Sequence, residues 1–175
     1  MNNVSLLLTG ICILPHYFTN WILLFSIINW YFNFPESTLS TVFILINLGF
    51  VGGMYITYVF PSTIYVPELD LVMYGLILQI LDVFTHQIPF IYMSYYIFSQ
   101  KRKINIDFTY AIIFGLIYTW FYNPLVMYQF ELPDLIKIII LTVFLTYFIT
   151  YFQKIEKVIS SDYYTIQYGQ YTIST

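Results

Sequence analysis

Asp82 and His86 are the residues whose types and spacing point most directly to chemistry. Four positions apart on a helix, they share one face a single turn from each other, along with Gly75, Gln79, Phe90 and Met93. A carboxylate beside an imidazole fixes its tautomer and stabilises its protonated form, which is what a general base requires. Both residues lie near the middle of an apolar stretch, Leu71 to Phe98, where an ionisable side chain is rare and marks a functional position. The plainer reading is a buried polar pair that hydrogen-bonds within a membrane bundle. Cys12, His16, Thr19 and Ser26 form a second polar group, within a narrow arc of an earlier apolar stretch that Pro15 is expected to kink. The middle of that stretch is near Thr19, which places Thr19 and His86 at similar depth. A threonine hydroxyl beside an imidazole is a nucleophile in waiting, activated by proton removal as in Ser–His pairs. Its plainer alternative is a hydroxyl bonded back to its own helix.

These residues must be positioned by five apolar stretches: Val4 to Phe34, Leu39 to Phe60, Leu71 to Phe98, Phe108 to Tyr128 and Leu135 to Phe152. About 20 helical residues at a rise of ~1.5 Å cover a hydrocarbon core of ~30 Å, so each stretch is long enough to span. None shows the alternating pattern of a lipid-facing strand, and an unpaired backbone in lipid is very unfavourable, which favours helices. Composition agrees, with 59% hydrophobic and 9% charged residues where soluble domains carry ~45–50% and ~25%. The predicted fold class is all-α, a polytopic transmembrane helix bundle of about five spans over residues 1–152. Residues 153–175 turn polar and rich in Tyr, Thr, Ser and Gln, and are expected to form a poorly ordered tail at the membrane surface.

The breaks between stretches carry turn residues, including Pro35, Pro61, Pro67 and Pro133. Lys101, Arg102 and Lys103 follow the third stretch, and Lys154 and Lys157 follow the fifth, while the intervening breaks hold Glu68, Asp70, Glu131 and Asp134. The positive-inside rule then puts the N-terminus outside and the C-terminus inside. Asn2 and Asn3 lead straight into apolar sequence without Lys or Arg, so the first stretch is expected to remain a span rather than a cleaved signal.

A net charge of −3 with six scattered basic residues provides no stripe to follow phosphates, which argues against nucleic acid as a partner. Cys12 is the single cysteine, so no internal disulfide forms, and no CxxC or Cys/His spacing is present. The reading requires no cofactor and no metal. His16, Asp82 and His86 would make a two-histidine, one-carboxylate set as a minor alternative. Tyr118 and Tyr122, one turn apart, are candidate donors to an oxyanion or, more plainly, structural tyrosines. The remaining aromatic load fits interfacial belts and helix packing. Membrane lipids are the expected partners, with Lys101 to Lys103 setting topology more than recognising headgroups.

Three landmarks resemble the androgen-induced-gene family of multi-pass membrane hydrolases and a related group of bacterial multi-pass proteins. Tyr17-Phe18-Thr19-Asn20-Trp21 is similar to the F-T-x-W start of an early span in that family. Thr85-His86-Gln87-Ile88-Pro89-Phe90 resembles its later histidine segment. Phe130-Glu131-Leu132-Pro133-Asp134-Leu135, which closes a span opened by Gly115, matches the spacing of a W-x-Y-P-x-L motif. The order of landmarks agrees over most of residues 16 to 155. The resemblance implies a membrane-embedded lipid-ester hydrolase, acting on substrates such as fatty-acid esters of hydroxy fatty acids, with Thr19 as nucleophile and His86 as its base. This chain is shorter by a span, carries Asp82 where the family often has Asn, and has Phe130 and Leu132 in place of the third motif's Trp and Tyr.

A different class stands beside it. The excess of Phe, Tyr, Ile and Asn suits an AT-rich gene, organellar or viral, and small proteins of this kind serve as non-catalytic structural subunits with partner membrane subunits. The topology is open to a direct check. Single cysteines placed at 101–103 and in the tail of a Cys12-free protein in sealed vesicles should be labelled from one side, and cysteines at 68 or 131 from the other. Labelling of the breaks after spans three and four from the same side contradicts the arrangement.

Overall fold

The structure, a computed structural model, describes residues 17–59, 64–66, 71–73, 76–99 and 104–169. Apart from one short strand pair and the connecting turns, these residues are helical. Helix α1 (Phe18–Tyr31) is followed by α2 (Glu36–Met54), which a π-helical turn, Tyr55–Val59, prolongs. Strands β1 (Ile64–Val66) and β2 (Leu71–Met73) pair antiparallel with Ile64 opposite Met73. Helix α3 (Leu76–Asp82), a π-helical turn (Val83–Gln87) and α4 (Ile88–Ser99) run on as one rod. Helix α5 (Thr109–Phe121), the single turn α6 (Pro124–Met127) and the long α7 (Leu132–Gly169) complete the chain.

Helix α2 is the axis of the fold, with α1, α4, α5 and α7 packed on it. Its Val42, Phe43, Leu45 and Asn47 have no exposed surface. The turn that folds α1 back onto α2 uses left-handed backbone at Asn33 (φ 57°) and Phe34 (φ 48°). Asn tolerates that conformation. Phe34 is held in it by burial of its ring against Tyr96, at a centroid distance of 4.7 Å. At the same end, Ser40 Oγ accepts from the Asp107 backbone N–H at 2.9 Å, which joins α2 to the start of α5. The Thr109 N–H donates to Asp107 and holds that carboxyl below the ordinary aspartate range.

Polar contacts between apolar helices set their register. Asn47 Nδ2 donates to Thr146 Oγ1 of α7 at 2.9 Å, and Gln153 Nε2 of α7 donates to the Ile97 carbonyl of α4 at 2.6 Å. In apolar surroundings packing alone discriminates poorly between registers, so such bonds select one. At the other end Tyr55 Oη donates to Asp134 at 2.6 Å, and Lys137 pairs with the same carboxylate at 3.1 Å. Among the described residues two helices, Glu36–Val59 with 24 residues and Leu132–Glu156 with 25, are long and apolar enough to cross a membrane.

The structure differs from the sequence reading at four boundaries. Tyr17 is extended (φ −87°, ψ 123°), so the helix carrying Thr19 begins at Phe18 and Thr19 stands in its first turn, not at its midpoint. Residues 71–73, read as the start of a span, are a strand of branched and apolar residues paired with Ile64–Val66, and the helix starts at Leu76. Helix α5, in the fourth apolar stretch, stops at Phe121 because Tyr122 is extended and Asn123 caps a new turn by accepting from the Leu125 N–H. The segment from Gln153, expected to be a poorly ordered tail, continues α7 as helix to Gly169. No proline interrupts it, and a glycine ends it. Cys12, His16, Glu68, Asp70, Gly75 and Lys101 to Lys103 lie outside the described residues.

Candidate active site

The π-helical turn of the α3–α4 rod carries His86, and its cause is readable two residues on. Pro89 has no N–H for the Thr85 carbonyl, and its ring crowds that carbonyl in an ordinary helix. The preceding turn widens, and the Ile88 N–H bonds to Val83, five residues back. Such widened turns recur at functional sites. Here it brings His86 Nδ1 within 3.0 Å of Asp82 Oδ1.

On its other side the imidazole meets α1. Thr19 Oγ1 lies 2.9 Å from His86 Nε2. Other threonines of the bundle bond back to their own helix: Thr85, Thr142, Thr146 and Thr150 donate to the carbonyls of Leu81, Ile138, Thr142 and Thr146. Thr19, second in its helix, directs its hydroxyl to the histidine of another helix.

Donor counting assigns the protons along this chain. Thr85 Oγ1 is 3.0 Å from His86 Nδ1 and spends its one hydrogen on the Leu81 carbonyl, so towards the ring it can only accept. Asp82 Oδ1 also accepts there, and Asp82 Oδ2 accepts from Gln87 Nε2 at 2.7 Å. Nδ1 therefore carries the imidazole hydrogen. Nε2 presents a lone pair to the Thr19 hydroxyl, the tautomer a general base needs. Asp82 is 2% exposed and His86 14%, so the pair is shielded from water.

Gly53 of α2 makes this packing feasible. A Cβ there would stand 2.5 Å from both Asp82 Oδ1 and His86 Nδ1. Phe50, one turn away, stacks on Phe90 at 4.0 Å between centroids and clamps the rod to α2.

Thr19 is the boundary between the base and open space. It lines an apolar cavity of about 340 Å³ between α1, α2, α5 and α7, along with Ile22, Gly49, Ala111, Ile138 and Tyr128. His86 lies behind it, at a crevice shared with Thr85 and Pro89. A hydroxyl in front, an imidazole behind it and a carboxylate at the rear is an order compatible with acyl transfer.

Thr19, His86 and Asp82 are thus brought together. Gln79 is exposed and apart from them, and His16 is outside the described residues. Among the described residues no group of three metal-ligating side chains exists. Tyr118 is buried between Phe18 and Trp21. Gln87, Thr85, Gly53 and Tyr128 escaped the sequence reading. Gln87 and Thr85 flank the histidine and could have been found by asking what else satisfies a buried carboxylate. No protein-family model, curated protein or solved structure matches the chain.

Gly53→Ala should displace the Asp82–His86 pair and lower the thermal midpoint in detergent, since overpacking costs about 1–3 kcal/mol. Gly52→Ala is the control, because a Cβ there meets nothing within 4 Å and both substitutions gain the same helix propensity. Equal midpoints for the two variants would contradict the close packing.

Proposed function

We propose that this chain is a membrane-embedded lipid-ester hydrolase with Thr19 as nucleophile, His86 as general base and acid, and Asp82 as the group that orients the imidazole. The observation that carries the reading is the 2.9 Å contact of Thr19 Oγ1 with His86 Nε2 at the wall of an apolar cavity. The motif order shared with the multi-pass membrane threonine hydrolases supports it. On this reading the chain is a bundle of about five spans, of which α2 with its π-helical turn and the first part of α7 are long enough by themselves to cross, with the N-terminus outside and the C-terminus inside. The exposed faces of α5 and α7, with Ile112, Leu116, Trp120, Ile140 and Phe144, are apolar, as lipid contact demands.

Thr19 Oγ1 attacks the ester carbonyl carbon while His86 Nε2 takes its proton, and the carbonyl π pair moves to oxygen. Collapse of this adduct breaks the bond to the alkoxy oxygen, which leaves as the alcohol with the proton from His86. Water, activated by the same nitrogen, then attacks the acyl-Thr19 ester and releases the fatty acid. Asp82 keeps accepting the Nδ1 hydrogen and stabilises the imidazolium. An acyl chain suits the cavity because its walls are apolar and its volume lies at the lower end of the ~300–1,000 Å³ usual for ligand sites.

Thr19→Ala and His86→Ala should each lower hydrolysis of a long-chain ester by purified protein in liposomes by at least about a thousandfold. The double variant should be no worse, because nucleophile and base act as a unit. Asp82→Asn should lose less, since an amide oxygen still accepts the Nδ1 hydrogen. Full activity in either alanine variant moves the chain to the structural-subunit class.

A further inference from the structure

Thr19 has a second polar neighbour that the reaction above does not use. Tyr128 stands in the connection between α6 and α7, placed by the Asn123 cap and by ring contacts with Tyr17 and Phe130. Its hydroxyl oxygen accepts from the Phe18 backbone N–H at 2.8 Å, at the open N-terminus of α1. That bond sets the hydroxyl beside Thr19, the next residue of α1, and Tyr128 lines the same apolar cavity as Thr19. Among the described residues no cationic side chain lines that cavity, so negative charge formed there must be met by neutral donors.

Thr19 gives its one hydrogen to His86 Nε2, and the Tyr128 oxygen takes the Phe18 N–H, so neither bond uses the Tyr128 O–H hydrogen. The Phe18 N–H polarises that O–H. When Thr19 Oγ1 bonds to a carbonyl carbon, it becomes an ester-type oxygen and a poorer acceptor. The new oxyanion on the same carbon becomes the stronger acceptor within reach of the same O–H.

We propose that Tyr128 is a further catalytic residue, a neutral phenol that donates a hydrogen bond to the oxyanion formed when Thr19 attacks an ester in this cavity. This rests on the ester-hydrolase reading. The bond that forms is Thr19 Oγ1 to carbon, the carbonyl π pair becomes the oxyanion lone pair, the Thr19 proton resides on His86, and Tyr128 keeps its own proton. The α1 N-terminus adds its partial positive charge from the same side.

The test is Tyr128→Phe in the full chain in liposomes, which keeps the ring and removes the donor. Loss of one oxyanion donor is expected to lower kcat by about a hundredfold to a thousandfold with KM nearly unchanged. A long-chain alkyl trifluoromethyl ketone, which forms a tetrahedral oxyanion with the nucleophile, should bind Tyr128→Phe weaker by the same factor. The matching ether, with no electrophilic carbon, should bind both proteins equally. A purely structural role would weaken ketone and ether together, and that result overturns the proposal. So does a kcat within twofold of the wild type. If Tyr128→Phe fails to fold, 3-fluorotyrosine at 128 keeps the shape and changes only the acidity of the donor. A shift of kcat and ketone affinity without a shift of ether affinity supports the role, and no shift in either rejects it. The outcomes separate the two levels. Activity lost in Thr19→Ala but kept in Tyr128→Phe removes Tyr128 alone, whereas no ester hydrolysis by the wild type removes the parent reading with it.

Discussion

A carboxylate with 2% of its surface exposed inside an apolar bundle constrains its whole neighbourhood, and Asp82 is that group here. Ionised and unpaired, it would be prohibitively unfavourable at such a site. It is tolerated because His86 Nδ1 and Gln87 Nε2 both donate to it, one to each oxygen. Those two donors must sit on the turn that follows Asp82, which the widened helix ahead of Pro89 provides. They must also approach α2 without obstruction, which Gly53 permits. Satisfying Asp82 leaves His86 with one free nitrogen, and that nitrogen faces Thr19. The arrangement that makes the buried carboxyl tolerable is therefore the same one that turns the Nε2 lone pair towards Thr19.

The rest of the bundle holds this chain of groups in register. Helix α1 is folded back onto α2 by the Asn33–Phe34 turn, and Asn29 and Thr38 hydrogen-bond across it. The α3–α4 rod is fixed to α2 by the stack of Phe50 on Phe90 and to α7 by Gln153. Separating α1 from the rod would strand Thr19 and open Nε2 to other partners. Gly52 leaves α2 without bulk on the side where α5 and α7 face it across the cavity, since a Cβ there meets nothing within 4 Å. A protein that only needed to pack would gain by filling that space.

Much of this was legible before any coordinates. The helical class followed from runs of apolar residues, and the Asp82–His86 pair from a four-residue interval in an apolar context. Thr19 was visible as a polar residue at comparable depth, and a resemblance rather than periodicity singled it out. Its place in the first turn of α1 was hidden, because the apolar run continues through residues 4–16 and only the extended backbone at Tyr17 marks the helix start. Gly53 was hidden because nothing local shows which side chain a glycine must admit. Tyr128 was hidden for a similar reason: it meets Phe18 across 110 positions, and one tyrosine among 19 carries no signal of its own. Long-range contacts of this kind depend on where the helices stop, and the Tyr122–Asn123 break that swings Tyr128 back towards α1 was read as continuous helix.

A hydrogen-bonded Thr–His–Asp chain could exist for packing alone, and the difference lies in whether Thr19 ever carries an acyl group. The most direct measurement is mass spectrometry of the protein after brief reaction with an activated long-chain acyl ester and acid quench. The account predicts one added acyl group located on Thr19, formed in the wild type, absent in His86→Ala and lost on a chase in water. Turnover of the ester with no acyl group on Thr19, or the same Thr19 adduct in His86→Ala, would contradict it.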